Sequence, residues 1–259
     1  MISTLSNIHS EAKIGAGTEI SSFVTISANV EIGEKCWIGP NVTIMDGARI
    51  GNHVKIYPGA VISAPPQDLK YKGEETLTII GDGTTIRECV TVNRGTIDRH
   101  KTEVGKNCLL MAYSHVAHDC IVGNHVILAN LATLAGHITV HDWAILEGMV
   151  AVQQFITIAE HAFVGGGSLV RKDVPPYVKC AKEPLSFAGV NVIGLRRRGF
   201  SEAAIRQIED IYRIIYVRGY NMSKALEMVI AEVDPSKERD RILDFIRNSS
   251  FGVVKGMIE

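Results

Sequence analysis

The stretch MAYSHVAHDC, residues 111–120, places His115 and His118 three apart and sets Asp119 directly after the second. An imidazole with a pKa of about 6.5 is a suitable general base. A carboxylate beside it can fix its tautomer and stabilise the imidazolium it becomes. Eighteen residues further on stand Gly136 and His137, and eighteen beyond Gly136 stands Gln154. If the chain stacks with that period, His118, Gly136 and Gln154 form one column and Asp119 and His137 the next, with steps of about 4.8 Å. A glycine N–H beside the base, with no Cβ in the way, could then hold an oxyanion. Base, orienting acid and oxyanion donor suit acyl transfer to a hydroxyl, with no Ser or Cys nucleophile if the hydroxyl attacks a thioester directly. His115, His118 and His137 would also serve as a metal set, and any one of them alone would read as a solvated corner residue. Three on one rim with an aspartate favour acid–base chemistry.

The period that builds this column runs along most of the chain. Steps of six from Ile8 to Val170 visit 28 positions, and 25 of them are Ile, Leu or Val; these residues are 70 of 259, so chance would give about 8. The residue two before is usually small, as at Cys36, Ala60, Cys108, Cys120 and Ala144, and Gly often follows, as at Gly15, Gly33, Gly105 and Gly123. Neither a helix nor an amphipathic strand has this period. A short strand with a tight corner does, three to a triangular coil of 18 residues. The expected fold is mainly β, a parallel β-helix of about nine coils over residues 1–174, with Gly supplying permissive backbone at the corners. The positions out of phase, Asp68, Glu74 and Asp98, fall in 63–78 and 94–102. These segments read as loops thrown out of the coil, and long loops on a rigid scaffold often carry function. Cys36, Cys108 and Cys120 lie in the inward register and read as core.

After Asp173-Val174-Pro175-Pro176 the pattern changes. Ser201-Glu202 opens a helix with Ile205, Ile208, Tyr212, Ile215 and Tyr216 on one stripe, and Gly219 stops it. A second helix is expected over 223–233 and a third from near Pro235. Residues 175–259 are expected as a connecting loop and an α-helical domain covering an open end or edge of the coil.

Composition removes several function classes. Lys and Arg number 27 against 28 Asp and Glu, a net charge of −1, which argues against a protein built to grip nucleic acid. No apolar run approaches the roughly 18 residues of a membrane span, and the N-terminus lacks the pattern of a signal peptide. Five cysteines with no CxxC argue against a disulfide framework or a structural zinc site, and point to reduced thiols in the cytoplasm.

The repeat resembles that of the hexapeptide-repeat acyltransferases, whose β-helix is left-handed. That handedness comes from the resemblance, since it opposes the usual right-handed crossover. The γ-class carbonic anhydrases share the fold and hold a metal between subunits, but two of their histidines are five apart, unlike His115 and His118. A metal-dependent hydratase therefore ranks below acyl transfer. The segments SAPPQDLKYKGE, VTVNRGT, HVAHDC, ATLAGH, QQF, DVPPYV and GVNVIGLRRRGFS, in this order, narrow the resemblance to the UDP-N-acetylglucosamine O-acyltransferases of lipid A biosynthesis.

The resemblance implies His118 as general base on the glucosamine 3-hydroxyl, Asp119 orienting it, and the Gly136 N–H as oxyanion donor. Gln67, Asp68 and Lys70 would contact the nucleotide sugar and the acyl 3-hydroxyl. His115, His137 and Gln154 would line the same cleft. Asn191, Arg197 and Arg198 would bind the UDP portion, where guanidinium suits phosphate. No metal and no bound cofactor are implied. The donor would be (R)-3-hydroxyacyl-acyl carrier protein, carrying the chain on 4'-phosphopantetheine, and Arg196, Arg197 and Arg198 would steer its acidic surface. A cytoplasmic homotrimer with sites between neighbouring coils is implied.

The sequence departs from the enterobacterial pattern at Asn93 and Gln153, where that pattern has His, and at Ile193, where it has an acidic residue. No nucleotide contact is therefore carried to Ile193. Gly166 matches a small residue that measures the acyl chain, and Pro184 stands near a chain-limiting His, so a long chain is implied. The rival on this scaffold is N-acylation of a UDP-3-amino sugar. The related N-acyltransferase has an extra N-terminal domain, whereas the repeat here begins by Ile8.

Overall fold

In the computed structural model, which describes residues 1–256, the six-residue period becomes a series of strands mostly two residues long. Each ends on the aliphatic of its step, as in Asn7–Ile8, Lys13–Ile14 and Glu19–Ile20. Every third strand of the coil pairs in parallel, giving walls of nine, eight and eight strands, the last of which further strands past the coil extend to eleven among the described residues. The register advances by one 18-residue coil, as in His115↔Thr133 and Thr133↔Ala151. The sheets wall a prism filled by the inward aliphatics, among them Ile38, Ile56, Ile86, Leu110 and Leu128, with Val54, Cys108 and Ala144 where the walls converge. The outward residue of each strand is left to solvent or to chemistry.

The corners are built differently from the sequence expectation. Left-handed backbone falls on the third residue after the aliphatic, at Lys35 (φ 53°), Asn41 (59°), Asp119 (59°) and His137 (63°). Asn, Asp and His tolerate that region better than most residues. The glycines directly after the aliphatics have another cause. A Cβ on Gly105 would lie 2.5 Å from the Gly123 carbonyl oxygen, and one on Gly15 2.5 Å from that of Gly33. Successive coils touch there backbone to backbone, so it is close approach that demands glycine.

Two coils carry extra chain. Val61 pairs with Thr91 and Thr91 with His115, separations of 30 and 24 residues instead of 18. The excess forms loops 65–76 and 94–100. They are shorter than the expected 63–78 and 94–102, because Ser63–Ala64, Leu77–Thr78 and Lys101–Thr102 stay in strands. The loops are tied to each other: Thr76 Oγ1 donates to the Gly95 carbonyl at 2.6 Å, and the Leu77 N–H to that of His100 at 3.0 Å.

Past the coil, Val178–Ala181 extends the eleven-stranded sheet and Ser186–Val190 returns antiparallel to it. Neither strand follows the six-residue period, so the sequence pattern did not show them. Four helices follow among the described residues: α1 (Val192–Arg197), α2 (Glu202–Tyr216), α3 (Met222–Glu232) and α4 (Lys237–Asn248). Ser201, Asn221 and Ser236 cap the last three, each side chain accepting a backbone N–H three residues on. The expected starts near 201, 223 and 235 fall within two residues of these caps. The six-residue α1 has no apolar stripe and was not foreseen. Helix α2 buries Ile205, Ile208, Tyr212 and Ile215, packs on Ser186–Val190, and ties Tyr212 Oη to the Pro176 carbonyl at 2.6 Å. No described helix is long and apolar enough to cross a membrane. The last three residues of the expected helical part, 257–259, lie outside the described residues.

Candidate active site

His118 and Asp119 form the corner that follows strand His115–Val116. Asp119 is fully buried, and four donors converge on its carboxylate. His118 Nδ1 lies 2.8 Å and Thr96 Oγ1 2.7 Å from Oδ2; the N–H groups of Thr96 and Arg99 reach Oδ1 at 3.0 and 3.1 Å. Burial by itself raises the carboxyl pKa, but the hydrogen bonds from Thr96, His118 and Arg99 outweigh it and hold the group below its usual range. An ionised Asp119 accepts from Nδ1–H, so a neutral His118 offers Nε2 as the proton acceptor.

Gly136 sits directly over that imidazole. A Cβ there would lie 2.6 Å from His118 Cε1 and 2.7 Å from Nε2, and the backbone is not left-handed. The glycine is therefore required by the ring beneath it. Its N–H donates to no backbone or side-chain acceptor among the described residues. At the same step elsewhere, the N–H groups of Glu34, Asn52, Lys106 and Asn124 are each taken at 2.8 Å by the side chain one coil on. One coil on from Gly136 is Gln154, which is exposed and makes no such bond. A buried, unpartnered N–H beside an unencumbered base is a place for developing negative charge.

His137 stands edge-on to His118, with ring centroids 5.1 Å apart, and stacks on Phe155 at 4.6 Å. Asp98 Oδ2 lies 3.0 Å from its Nδ1, but out of line, so that nitrogen is buried without a hydrogen bond. Beside it opens a cleft of about 350 Å³, lined by Asp68, Lys70 and Tyr71 of the first loop, Ile97 and Asp98 of the second, and Phe155. Of the residues expected on this rim, His118, Asp119, Gly136 and His137 converge. His115 lies on the flat sheet with Nδ1 2.7 Å from Thr91 Oγ1, and burial, then the nearby His118, lowers its pKa. Gln67 and Gln154 are exposed and do not line the cleft. Phe155 takes the place expected for Gln154, because the corner turns between these two neighbours. Thr96, Arg99, Tyr71 and Phe155 were missed; the broken period at 94–102 was the only signal for the first two.

The residues expected on UDP sit at another corner. The Asn191 side chain is spent within the chain: Oδ1 caps α1 by accepting the Gly194 N–H at 3.3 Å, and Nδ2 donates to the His161 carbonyl at 3.0 Å. It is therefore a structural cap. Arg198 is half-buried, its guanidinium 5.3 Å over the Trp143 ring and 3.4 Å from His161 Nδ1. Burial first and Arg198 second push the His161 pKa down to about 4. Arg196 is paired bidentately with Glu202 at 2.6 and 2.9 Å, while Arg197 is exposed. The three arginines therefore do not form one basic patch. Gly166 lies at the third corner, exposed, its N–H donating to Glu147 Oε2 at 3.0 Å. One chain by itself does not bring Gly166, Arg197 and Arg198 to His118.

The geometry also bears on metal and thiol chemistry. His118, Asp119 and His137 hold ligand atoms within 4.8 Å of one another, and His115 is not among them. A carboxylate has about four acceptor positions, and those of Asp119 are already occupied. Cys36, Cys108 and Cys120 are buried, and burial pushes the thiol of Cys108 up to about 11 and that of Cys120 to about 12. They are core.

Residues 173–254 match the family model described as UDP N-acetylglucosamine O-acyltransferase, domain 2, and residues 29–64 and 101–136 match the bacterial transferase hexapeptide (six repeats) model. The chain is 51% identical over 197 residues to the acyl-[acyl-carrier-protein]–UDP-N-acetylglucosamine O-acyltransferase of Aquifex aeolicus, and 43% identical over 197 residues to that of Halorhodospira halophila. Each match covers 76% of both chains. The crystal structure of a UDP-N-acetylglucosamine acyltransferase from Bacteroides fragilis superposes with a TM-score of 0.96 at 49% identity, covering 98% of this chain and 100% of that one. The chain belongs to the acyl-[acyl-carrier-protein]–UDP-N-acetylglucosamine O-acyltransferase family, and its coil is the left-handed parallel β-helix of the hexapeptide-repeat acyltransferases.

Proposed function

We propose that this chain transfers an (R)-3-hydroxyacyl group from acyl carrier protein to the glucosamine 3-hydroxyl of UDP-N-acetylglucosamine, the first step of lipid A biosynthesis. The observation that carries the reading is the unit of His118, its buried partner Asp119 and the unpartnered Gly136 N–H above the ring. The sugar hydroxyl gives its proton to His118 Nε2 as its oxygen attacks the thioester carbonyl. Asp119 stabilises the imidazolium, and the Gly136 N–H holds the oxyanion. Collapse expels the pantetheine thiolate, which takes the proton back from His118. The donor brings its own 4'-phosphopantetheine, so this scheme requires neither a resident cofactor nor a metal. Asp68 and Lys70 line the cleft on the sugar side, and exposed Leu69, Ile97 and Phe155 offer apolar surface to the acyl chain.

A homotrimer fits the surface. Tyr113, Leu131 and Met149, spaced one coil apart on one corner, are 61, 50 and 64% exposed, an apolar ridge that calls for cover. The face between this ridge and the His118 corner carries His115. Neighbouring copies seated there would wall the base from water and supply Gly166, Arg197 and Arg198, which a single chain holds away from His118. The chain would divide near residue 174 into the coil and the segment that closes its end, and would work in the cytoplasm.

Acyl transfer from a panel of 3-hydroxyacyl carrier proteins to UDP-N-acetylglucosamine, with His118→Ala beside wild type, tests the reading. The expected result is transfer by wild type, near-complete loss in the variant, and preference for long chains from Gly166 and Pro184. No transfer with any donor overturns the substrate, full activity in His118→Ala overturns the base, and preference for short chains overturns the length assignment.

A further inference from the structure

Loop 94–100 holds the six-residue excess of one coil, and its inner side is spent on one side chain. Thr96 gives both its N–H and its hydroxyl to the Asp119 carboxylate, and Arg99 gives its N–H. The Arg99 guanidinium then donates to the Asp119 carbonyl at 2.9 Å. Thr96 is itself buried, so water does not substitute easily for its hydroxyl. We propose that Thr96 and Arg99 are positioning residues that hold Asp119 on His118 and away from His137. The inference rests on His118 being the base.

The geometry sets up a competition. Asp119 Oδ2 lies 2.8 Å from His118 Nδ1 and 3.9 Å from His137 Nε2. A modest rotation of the carboxylate would exchange one imidazole for the other. The Thr96 hydroxyl, 2.7 Å from that same oxygen, and the two N–H groups on Oδ1 fix the carboxylate plane against this rotation. The charged and titratable groups facing the pair are Arg99, His137, His115 and, beyond His137, Asp98. Of these, His137 is the one whose nitrogen approaches Oδ2, at 3.9 Å, and it is the competitor that Thr96 holds off. Thr96 borders the cleft, but its N–H and hydroxyl are both given to Asp119, as is the Arg99 N–H, so both residues act through that carboxylate.

The test is Thr96→Val and Thr96→Ser in the acyl-transfer assay, with kcat and KM for both substrates. Loss of a hydrogen bond to a buried charge should lower kcat about 10- to 100-fold in Thr96→Val, with KM changed less than about threefold. Thr96→Ser should recover most of the lost kcat. Wild-type kcat in folded Thr96→Val, a loss carried in KM and not in kcat, or Thr96→Ser as impaired as the valine variant overturns the proposal. If Thr96→Val does not fold, Thr96→Ala decides, since it also removes the hydroxyl and adds no bulk; wild-type kcat in it overturns the proposal. His118→Ala separates the two levels. Full activity in it removes the base assignment, whereas its inactivity beside an unaffected Thr96→Val removes only the positioning role.

Discussion

Replacing Gly136 with Ala probes the base without touching it. The new Cβ would lie 2.6 Å from His118 Cε1 and 2.7 Å from Nε2, where ordinary contact begins at 3.4 Å. The ring must retreat by about 0.8 Å, since the Gly136 backbone is fixed in the coil by Phe155, whose N–H it accepts at 3.3 Å. The imidazole is not free to retreat, because its Nδ1 is held 2.8 Å from a fully buried carboxylate. The movement must stretch that bond or swing Nε2 off the acceptor hydroxyl. A misplacement of about 1 Å can cost about 100-fold in rate, so kcat should fall roughly 30- to 100-fold, or about 2–3 kcal/mol of barrier. The Gly136 N–H remains, so the loss reads the ring and not the oxyanion donor. Stability should suffer less: overpacking costs about 1–3 kcal/mol, and Ala offsets about 0.4–1 kcal/mol of it by restricting the unfolded chain. Steady-state kinetics with both substrates varied, alongside thermal unfolding, separate the two effects. KM should stay within about threefold of wild type, as expected for a term expressed in the transition state. A folded Gly136→Ala enzyme with kcat within twofold of wild type would refute the close-packed base.

Gly105→Ala drives its Cβ against the Gly123 carbonyl at 2.5 Å, backbone that cannot yield, so it should lower Tm more than Gly136→Ala while leaving kcat unchanged; equal Tm values would count against the stacked-glycine account. Tyr212→Phe strips the Pro176 carbonyl of a buried 2.6 Å donor. It should cost about 1–2 kcal/mol in urea unfolding, with activity retained; an unchanged midpoint would show that another donor serves this carbonyl. His161 is held neutral, with a folded pKa of about 4 against an ordinary 6.5. Between those values the unfolded chain binds more protons, so stability falls as pH drops from 6.5 toward 4, with the loss complete below it. His161→Gln should flatten that part of the curve, and unfolding at several pH values that shows equal slopes for both proteins would mean His161 titrates normally.

What the sequence determined is what repeats. An aliphatic at every sixth position has to fill the prism, whatever its neighbours are, so the period alone specified the coil. A fixed coil length then turned spacing into stacking, and His118 under Gly136 and Asp119 beside His137 were legible by counting eighteen. The helix starts were legible too, because a cap such as Ser201 acts on the N–H groups next to it. The structure decided what lies outside the repeat. Thr96 and Arg99 reach Asp119 only because loop 94–100 docks on the corner, and no period carries that information. Phe155 stands one coil beyond His137 and was open to the same count, but the turn of the corner decided that it, and not its neighbour Gln154, faces the cleft. Asn191 became a helix cap and Arg196 a partner of Glu202 because side chains are claimed by whichever group the fold brings within hydrogen-bond reach. Local packing repeats along the chain and can be read from it; contacts between loops and corners depend on long-range closure, and only the folded chain selects them.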